Sequence, residues 1–319
     1  MRQLLGHGVS SPPRAIDVRD DGQEIATVYE KGEAALWSAS TGELLWDLGI
    51  SSPPDPSWET FSSGADAIHF IEERGWLAIS SSGDPLTLFC DLEAAPRRLA
   101  RKCTGYFYGF LHGHAVLESG THVFLATANN DSGGLRVLVE DATGNMSKRA
   151  EASLGRHISD VAIHAGRGLV AAISRSEGNE ITVFGLPDLD LLQRIKLPMV
   201  AGHLRFSKEG DLLYSTSYDD LVRAHEVDSG RLIWTANTSR EPAWPYAWFG
   251  LPIALSSDGE YLAAALRQSE VLIIQASSGE IVQRIALHRE ERAPVQIVWT
   301  RDGRHLIVLS ESVQVLRVD

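Results

Sequence analysis

The chain is expected to be all-β: a seven-bladed β-propeller of four-stranded antiparallel blades, with the ring closed by the N-terminal strand. Three observations predict this. Turn-closing glycines recur at Gly22, Gly75, Gly120, Gly168, Gly210, Gly259 and Gly303, spaced 42 to 53 residues apart in a chain of 319 residues. A second marker follows at Thr41-Gly42, Thr143-Gly144, Ser229-Gly230 and Ser278-Gly279, and in three units it falls 20 residues after the first. Between the markers lie short apolar runs without a 3.6-residue period, which excludes amphipathic helices. Four such runs in about 45 residues make one propeller blade.

The turn glycines come first in each unit. A tight hairpin needs a residue at positive φ, which glycine supplies without a Cβ clash. Asp21, Ser119, Asp258 and Asp302 stand just before such a glycine, where a short polar side chain bonds the turn backbone. The runs Ile25–Val28, Leu77–Ser80, Leu169–Ile173 and Leu262–Leu266 are near-continuously apolar, as strands covered on both faces are. Ala78, Ala171 and Ala263 let neighbouring sheets approach closely. The last unit holds three strands, near 295–299, 304–309 and 313–318. The first unit is preceded by a spare strand, Arg2 to Leu5, which is expected to complete the last blade and so remove an exposed edge. Residues 1–319 are then one repeat domain, since each unit adds its own local core.

Composition narrows the function. The net charge of −13 disfavours nucleic acid and anionic membrane surfaces as partners. Arg97, Arg98, Arg101 and Lys102 form the densest basic group and read as solvated charge on an edge strand. No run approaches the roughly 18 apolar residues of a membrane span. The segment Met1–Pro13 lacks the apolar core of a secretory signal. Cys90 and Cys103 are the only cysteines and read as free thiols in a reducing compartment. The expected location is cytoplasmic.

The unit running from Asp21-Gly22 through Leu36-Trp37 to Thr41-Gly42 resembles a WD40 repeat. The resemblance extends over nearly the whole chain in degenerate form: Trp37 is followed by Ser38, and the equivalent positions elsewhere hold Phe89, Val139, Phe184, His225, Ile274 and Leu316. It implies a seven-bladed propeller that works as a protein-interaction scaffold. The Asp–His–Ser–Trp hydrogen-bond network of that family cannot form in most of these blades. Thr41-Gly42 with Trp46, and Ser229-Gly230 with Trp234, are also similar to the quinoprotein blade pattern. That likeness implies an enzyme or cofactor binder with a site at the mouth of a central channel. The other reading of these tryptophans is packing between blades.

Three segments between blades stand out: 49–66, 104–113 and 236–252. They hold ten of the chain's 24 aromatic residues, several among prolines. Loops normally favour small polar residues. Trp58, Phe61, Tyr106, Phe107, Tyr108, Trp244, Tyr246, Trp248 and Phe249 are therefore the candidate partner-binding residues, because aromatic anchors dominate binding hot spots. Rings folded down as plugs over the blades are the other outcome.

No catalytic residue is assigned. The chain has no Gly-x-Ser-x-Gly elbow and no Gly-Lys-Ser/Thr phosphate loop. His112, His114 and His122 are the one histidine group that suggests a metal, but no Cys or carboxylate stands at a complementary spacing. Asp219-Asp220 and Glu290-Glu291 fall in expected turns. The expectation is a non-enzymatic platform without cofactor or metal, binding a protein or peptide partner with a basic surface. A subunit that homo-oligomerises, or that belongs to a larger assembly, is the third reading.

Overall fold

A computed structural model describes residues 2–4, 12–19, 21–30, 33–47, 65–81, 86–94, 98–104, 111–127, 134–141, 146–155, 158–174, 179–238, 251–266, 270–287, 294–310 and 313–318. These form seven four-stranded antiparallel sheets, a seven-bladed β-propeller with one 3-10 turn, Glu72–Arg74. No helix among the described residues is long and apolar enough to cross a membrane.

The chain forms two compact units. The first, Met1–Leu111 with Glu290–Asp319, holds blade 1 (Pro13–Val18, Glu24–Tyr29, Ala34–Ser38, Leu44–Asp47) and blade 2 (Ala67–Ile71, Trp76–Ser80, Leu86–Asp91, Arg98–Thr104). It also holds blade 7, made of Gln296–Trp299, His305–Leu309 and Val313–Arg317 with Arg2–Leu4. The second unit, His112–Arg289, contains the other four blades. They are blade 3 (from Leu111–Val116 through Met146–Ser153), blade 4 (Ile158–His164, Leu169–Ser174, Glu180–Gly185, Asp190–Lys196), blade 5 (Ala201–Phe206, Leu212–Ser217, Leu221–Glu226, Leu232–Asn237) and blade 6 (Ile253–Leu255, Tyr261–Leu266, Glu270–Gln275, Ile281–Ala286).

The spare N-terminal strand is the fourth strand of blade 7. Its register is Arg2↔Val315, Gln3↔Gln314 and Leu4↔Val313. All seven marker glycines sit at positive φ, between 58° and 82°. The preceding side chains tie the turns as expected. Asp21, Asp258 and Asp302 accept the amide two residues on at 2.8, 2.9 and 2.9 Å, whereas Ser119 instead donates to the Thr121 hydroxyl at 2.9 Å.

The four apolar runs are all second strands, each paired with a third strand. Every residue of Glu24–Tyr29 and of Leu169–Ser174 is buried. Their two faces feed different cores. Leu36, Leu77, Ile79, Leu88 and Cys90 pack between blades 1 and 2, while Trp37, Ile25, Ile307 and Leu309 pack between blades 7 and 1. The second unit repeats the pattern between blades 3 and 4, 4 and 5, and 5 and 6.

In blades 1 to 6 the pairing of third and fourth strands shifts by one residue at the same place. A bulge of this kind leaves one fourth-strand residue without an opposite number. It falls at Trp37, Cys90, Leu138, Phe184, His225 and Ile274. In blades 2 and 3 this is one residue away from Phe89 and Val139, the positions expected from the sequence. Cys90, not Phe89, shares the direction of Trp37, toward the preceding blade.

Segment boundaries need two corrections. Thr104 belongs to the strand Arg98–Thr104, Leu111, His112 and Gly113 to the strand Leu111–Val116, and Ala236 and Asn237 to the strand Leu232–Asn237, so these residues are not part of the loops. Arg98, Arg101 and Lys102 of the basic group belong to the fourth strand of blade 2, Arg98–Thr104, and Arg97 lies outside the described residues. Cys90 is a free thiol, and burial pushes its pKa up to about 12.

The pairing of Arg2–Leu4 covers the edge of Val313–Arg317. Deleting Met1–Gly8 is expected to lower the melting temperature by on the order of 5–10 °C, given the few degrees that each kcal/mol is worth in a domain of this size. Differential scanning calorimetry checks this; a truncated chain that melts like the full one would refute the closing role.

Candidate functional site

The nine aromatic candidates, Trp58, Phe61, Tyr106, Phe107, Tyr108, Trp244, Tyr246, Trp248 and Phe249, lie outside the described residues. Within the described residues, polar chemistry concentrates on the first strands and exposed apolar surface on the fourth.

Two first-strand aspartates make the same clamp. The Asp17 carboxylate accepts the Val18 amide at 2.9 Å through one oxygen and the Phe70 amide of blade 2 at 2.8 Å through the other. The Asp160 carboxylate accepts the Val161 amide at 2.9 Å and the Leu204 amide of blade 5 at 2.8 Å. A histidine precedes each receiving residue. His69 Nδ1 is 4.0 Å from Asp17, and His203 Nδ1 is 3.5 Å from Asp160. Arg205 adds a guanidinium contact to Asp160 at 3.3 Å. Burial works against ionisation of Asp160, but the bonds from His203, Arg205 and the Leu204 amide outweigh it and hold the carboxyl well below its ordinary range.

An Asp–His pair is half of a general-base arrangement. Here both carboxylate oxygens of each aspartate are occupied by backbone amides. The far nitrogen of His69 lies 2.9 Å from the carbonyl of Leu111, the last residue of its unit. The ring therefore lies between the Asp17 carboxylate and the Leu111 carbonyl. Gln296 does the same job in blade 7, accepting the Ile16 amide at 3.0 Å and donating to the Ile16 carbonyl at 2.6 Å.

The histidine group separates. His114 and His122 stack, with Nε2 and Nδ1 3.0 Å apart, and His114 leans on Phe124. His112 turns to the Thr127 hydroxyl at 3.1 Å. Among the described residues no three His, Cys, Asp or Glu side chains are grouped as metal ligands. Asp219 lies in a turn and pairs with the buried guanidinium of Arg223 at 2.5 Å. His225, at the bulge of blade 5, is 4% exposed, and its Nδ1 has no hydrogen-bond partner among the described residues. Burial, and then the nearby Arg223 charge, lower its pKa to about 4.

Both tryptophans of the quinoprotein-like pattern pack between blades. Trp46 leans on the core of blades 1 and 2. Trp234 is buried beside Tyr214, and its indole N–H donates to the Ala276 carbonyl of blade 6 at 3.0 Å.

The outer strands carry what sequence reading missed. Large apolar side chains stand exposed in pairs at the bulges: Leu44 and Leu45 in blade 1, Leu191 and Leu192 in blade 4, Leu232 and Ile233 in blade 5. Val282 continues the series in blade 6. Leu192, at 56%, is the most exposed of them. A regular edge strand alternates sides, so one member of each pair would face a neighbour. The bulge breaks that alternation and leaves both outside. The signal was present in the sequence: an apolar pair begins two residues after Gly42, Gly230 and Gly279.

No family model matches the chain, and comparison with curated proteins finds no match.

Two expected outcomes follow from the buried polar groups. Asp160→Ala leaves the Leu204 amide without its acceptor and removes the carboxylate that His203 and Arg205 contact, and should cost about 3 kcal/mol in denaturant unfolding. A loss under a quarter of that would remove the clamp from the account. His225 stays neutral when folded, whereas the unfolded chain takes up its proton near 6.5. Stability present above that value is thus lost as pH falls toward 4. His225→Phe, the residue blade 4 uses at this place, should reduce the stability lost between pH 7 and about 4.5 by about 2–3 kcal/mol. Parallel acid profiles for the two proteins would contradict this.

Proposed function

We propose that this chain is a non-enzymatic interaction platform, a degenerate WD40-like propeller that docks a protein or peptide partner. The observation that carries the reading is the series of exposed apolar residues at equivalent bulges of three consecutive blades: the pairs Leu191-Leu192 in blade 4 and Leu232-Ile233 in blade 5, and Val282 in blade 6. A scattered exposed leucine needs no explanation, but one recurring at the same step of successive repeats does. The aromatic segments between blades supply the anchors of the same reading, and the acidic surface favours basic partners.

The WD40 likeness has local support in blade 1. The Trp37 indole N–H donates to the Thr27 hydroxyl at 2.8 Å, the tryptophan-to-hydroxyl step of that family's network. The bulge positions of the other blades hold Cys90, Leu138, Phe184, His225 and Ile274, so they cannot repeat the step. A structural subunit, packed through the same outer strands against a second copy or a larger assembly, is favoured by the same residues. A cytoplasmic setting fits the free, buried thiol of Cys90.

The test is affinity capture followed by mass spectrometry, with sedimentation of the purified chain alongside. Leu192→Glu/Ile233→Glu changes only exposed positions, and each substitution should cost under about 0.5 kcal/mol of stability. Partner recovery should fall at least tenfold in this variant, in Trp58→Ala/Trp248→Ala, or in both. Unchanged recovery in both, from folded protein, would overturn the platform. A wild-type dimer that the glutamate pair dissociates would assign the outer strands to self-assembly.

A further inference from the structure

Blade 5 carries two buried side-chain atoms without a hydrogen-bond partner among the described residues: the Ser215 hydroxyl and His225 Nδ1. Ser215 is 1% exposed and His225 4%. They stand on paired strands. Leu213 lies opposite His225 and Ser215 opposite Arg223, so the two are diagonal neighbours on one face of the sheet. Blade 1 has the same diagonal. Ile25 lies opposite Trp37 and Thr27 opposite Ala35, and there the indole bond of 2.8 Å closes it.

The other blades show that the two positions go together. Their diagonals are Ile79 with Cys90, Ala126 with Leu138, Ala172 with Phe184, Ala264 with Ile274 and Val308 with Leu316. None of these side chains holds an oxygen or a nitrogen. At this second-strand position a hydroxyl thus occurs in two blades, and in both the third strand answers it with a ring nitrogen.

Ring chemistry explains why the bond of blade 1 does not close in blade 5. Nδ1 is bonded to the ring carbon that carries the side-chain methylene, whereas the indole nitrogen lies one atom further out. The imidazole nitrogen therefore stops short of a hydroxyl that the indole reaches. The nearby Arg223 guanidinium bonds Ser217 and Asp219 instead. Interiors satisfy buried polar atoms of this kind with water.

We propose that one internal water molecule bridges His225 Nδ1 and the Ser215 hydroxyl, closing in blade 5 the diagonal that the indole closes in blade 1. Two hydrogen bonds of about 2.8 Å meeting at a water oxygen span about 4.5 Å, close to the direct bond plus the one atom that the imidazole lacks. Water fits both ends. Neutral imidazole presents either an N–H or a lone pair at Nδ1, a hydroxyl both donates and accepts, and water answers each. Burial, and then the Arg223 charge, keep the ring neutral. The bridge anchors the third strand at the residue where the fourth strand bulges, the step that leaves Leu232 and Ile233 outside.

Two measurements on the full chain test this. In a crystal structure sharp enough to place ordered solvent, a water oxygen should lie within about 3.2 Å of both Nδ1 and the Ser215 hydroxyl. A direct bond between the two side chains, or no ordered solvent touching both, would overturn the proposal. In denaturant unfolding, Ser215→Ala separates a bridged hydroxyl from an unsatisfied one. Loss of a bridged hydroxyl should raise the unfolding equilibrium constant about fivefold, whereas loss of an unsatisfied one leaves it unchanged or lowers it. In the His225→Phe background the water has lost its second anchor, and the same change should raise the constant by under about twofold. A cost-free Ser215→Ala in the wild-type chain, or an equal cost in both backgrounds, would each overturn the bridge. Neither measurement involves partner binding, so failure here and failure of the platform are read separately.

Discussion

A sheet with two apolar faces cannot stand alone in water, and every blade of this protein is such a sheet. Ile25, Val28, Leu36 and Trp37 belong to one pair of neighbouring strands, yet they feed two different cores. The only solution for the middle strands is a neighbouring sheet on each side, which stacking of repeats provides. Burying one leucine or isoleucine is worth about 1.5–3 kcal/mol, whereas an intramolecular hydrogen bond nets about 1. Packing of the middle strands therefore decides that blades associate. The Asp17, Asp160 and Gln296 clamps decide at what register they do so.

The fourth strand escapes the constraint, and its chemistry differs accordingly. It pairs on one edge only and covers little of the core, so its burial alternates, as in Met146–Ser153 and Ile281–Ala286. The recurring bulge sits where the fully buried third strand meets this half-free one. An extra residue there lets the outer strand follow the twist of the sheet without disturbing the packed side. The same extra residue puts Leu192 and Ile233 into solvent. A geometric necessity of the blade and a candidate contact surface are thus one feature.

What was legible in the sequence follows the same division. The glycine turns were readable because positive φ leaves few alternatives, and the second strands because burial on both faces permits only apolar residues. The strand Arg2–Leu4 was readable by counting, since the last unit lacked one. Bulge positions were less so. In blade 2 the step that leads from Gly22 to Trp37 leads from Gly75 to Cys90, so the expected Phe89 fell one residue short. The Asp17 and Asp160 clamps were not legible, because a carboxylate that accepts the next blade's amide leaves no spacing signal within its own repeat. His112 was misgrouped with His114 and His122 for a related reason: proximity in sequence did not reveal that Thr127 was its partner.

The direction of these bonds explains how blades of different sequence share one fold. Asp17, Asp160 and Gln296 reach backbone atoms of the following blade, and so do the Arg167 guanidinium, the Thr216 hydroxyl on the Leu251 carbonyl and the Trp234 indole on the Ala276 carbonyl. In each, the side chain belongs to one blade and the partner is main chain of the next. A bond to main chain does not depend on the receiving residue's identity. Each blade can then change its side chains without breaking the bond it receives, and loses only the bond it gives. A network of side chains bonded to side chains, such as one built around Trp37 and Thr27, needs several matching residues in every repeat and disappears with the first change. Blade 1 has the Trp37–Thr27 bond, and the bulge positions of blades 2 to 6 hold no tryptophan.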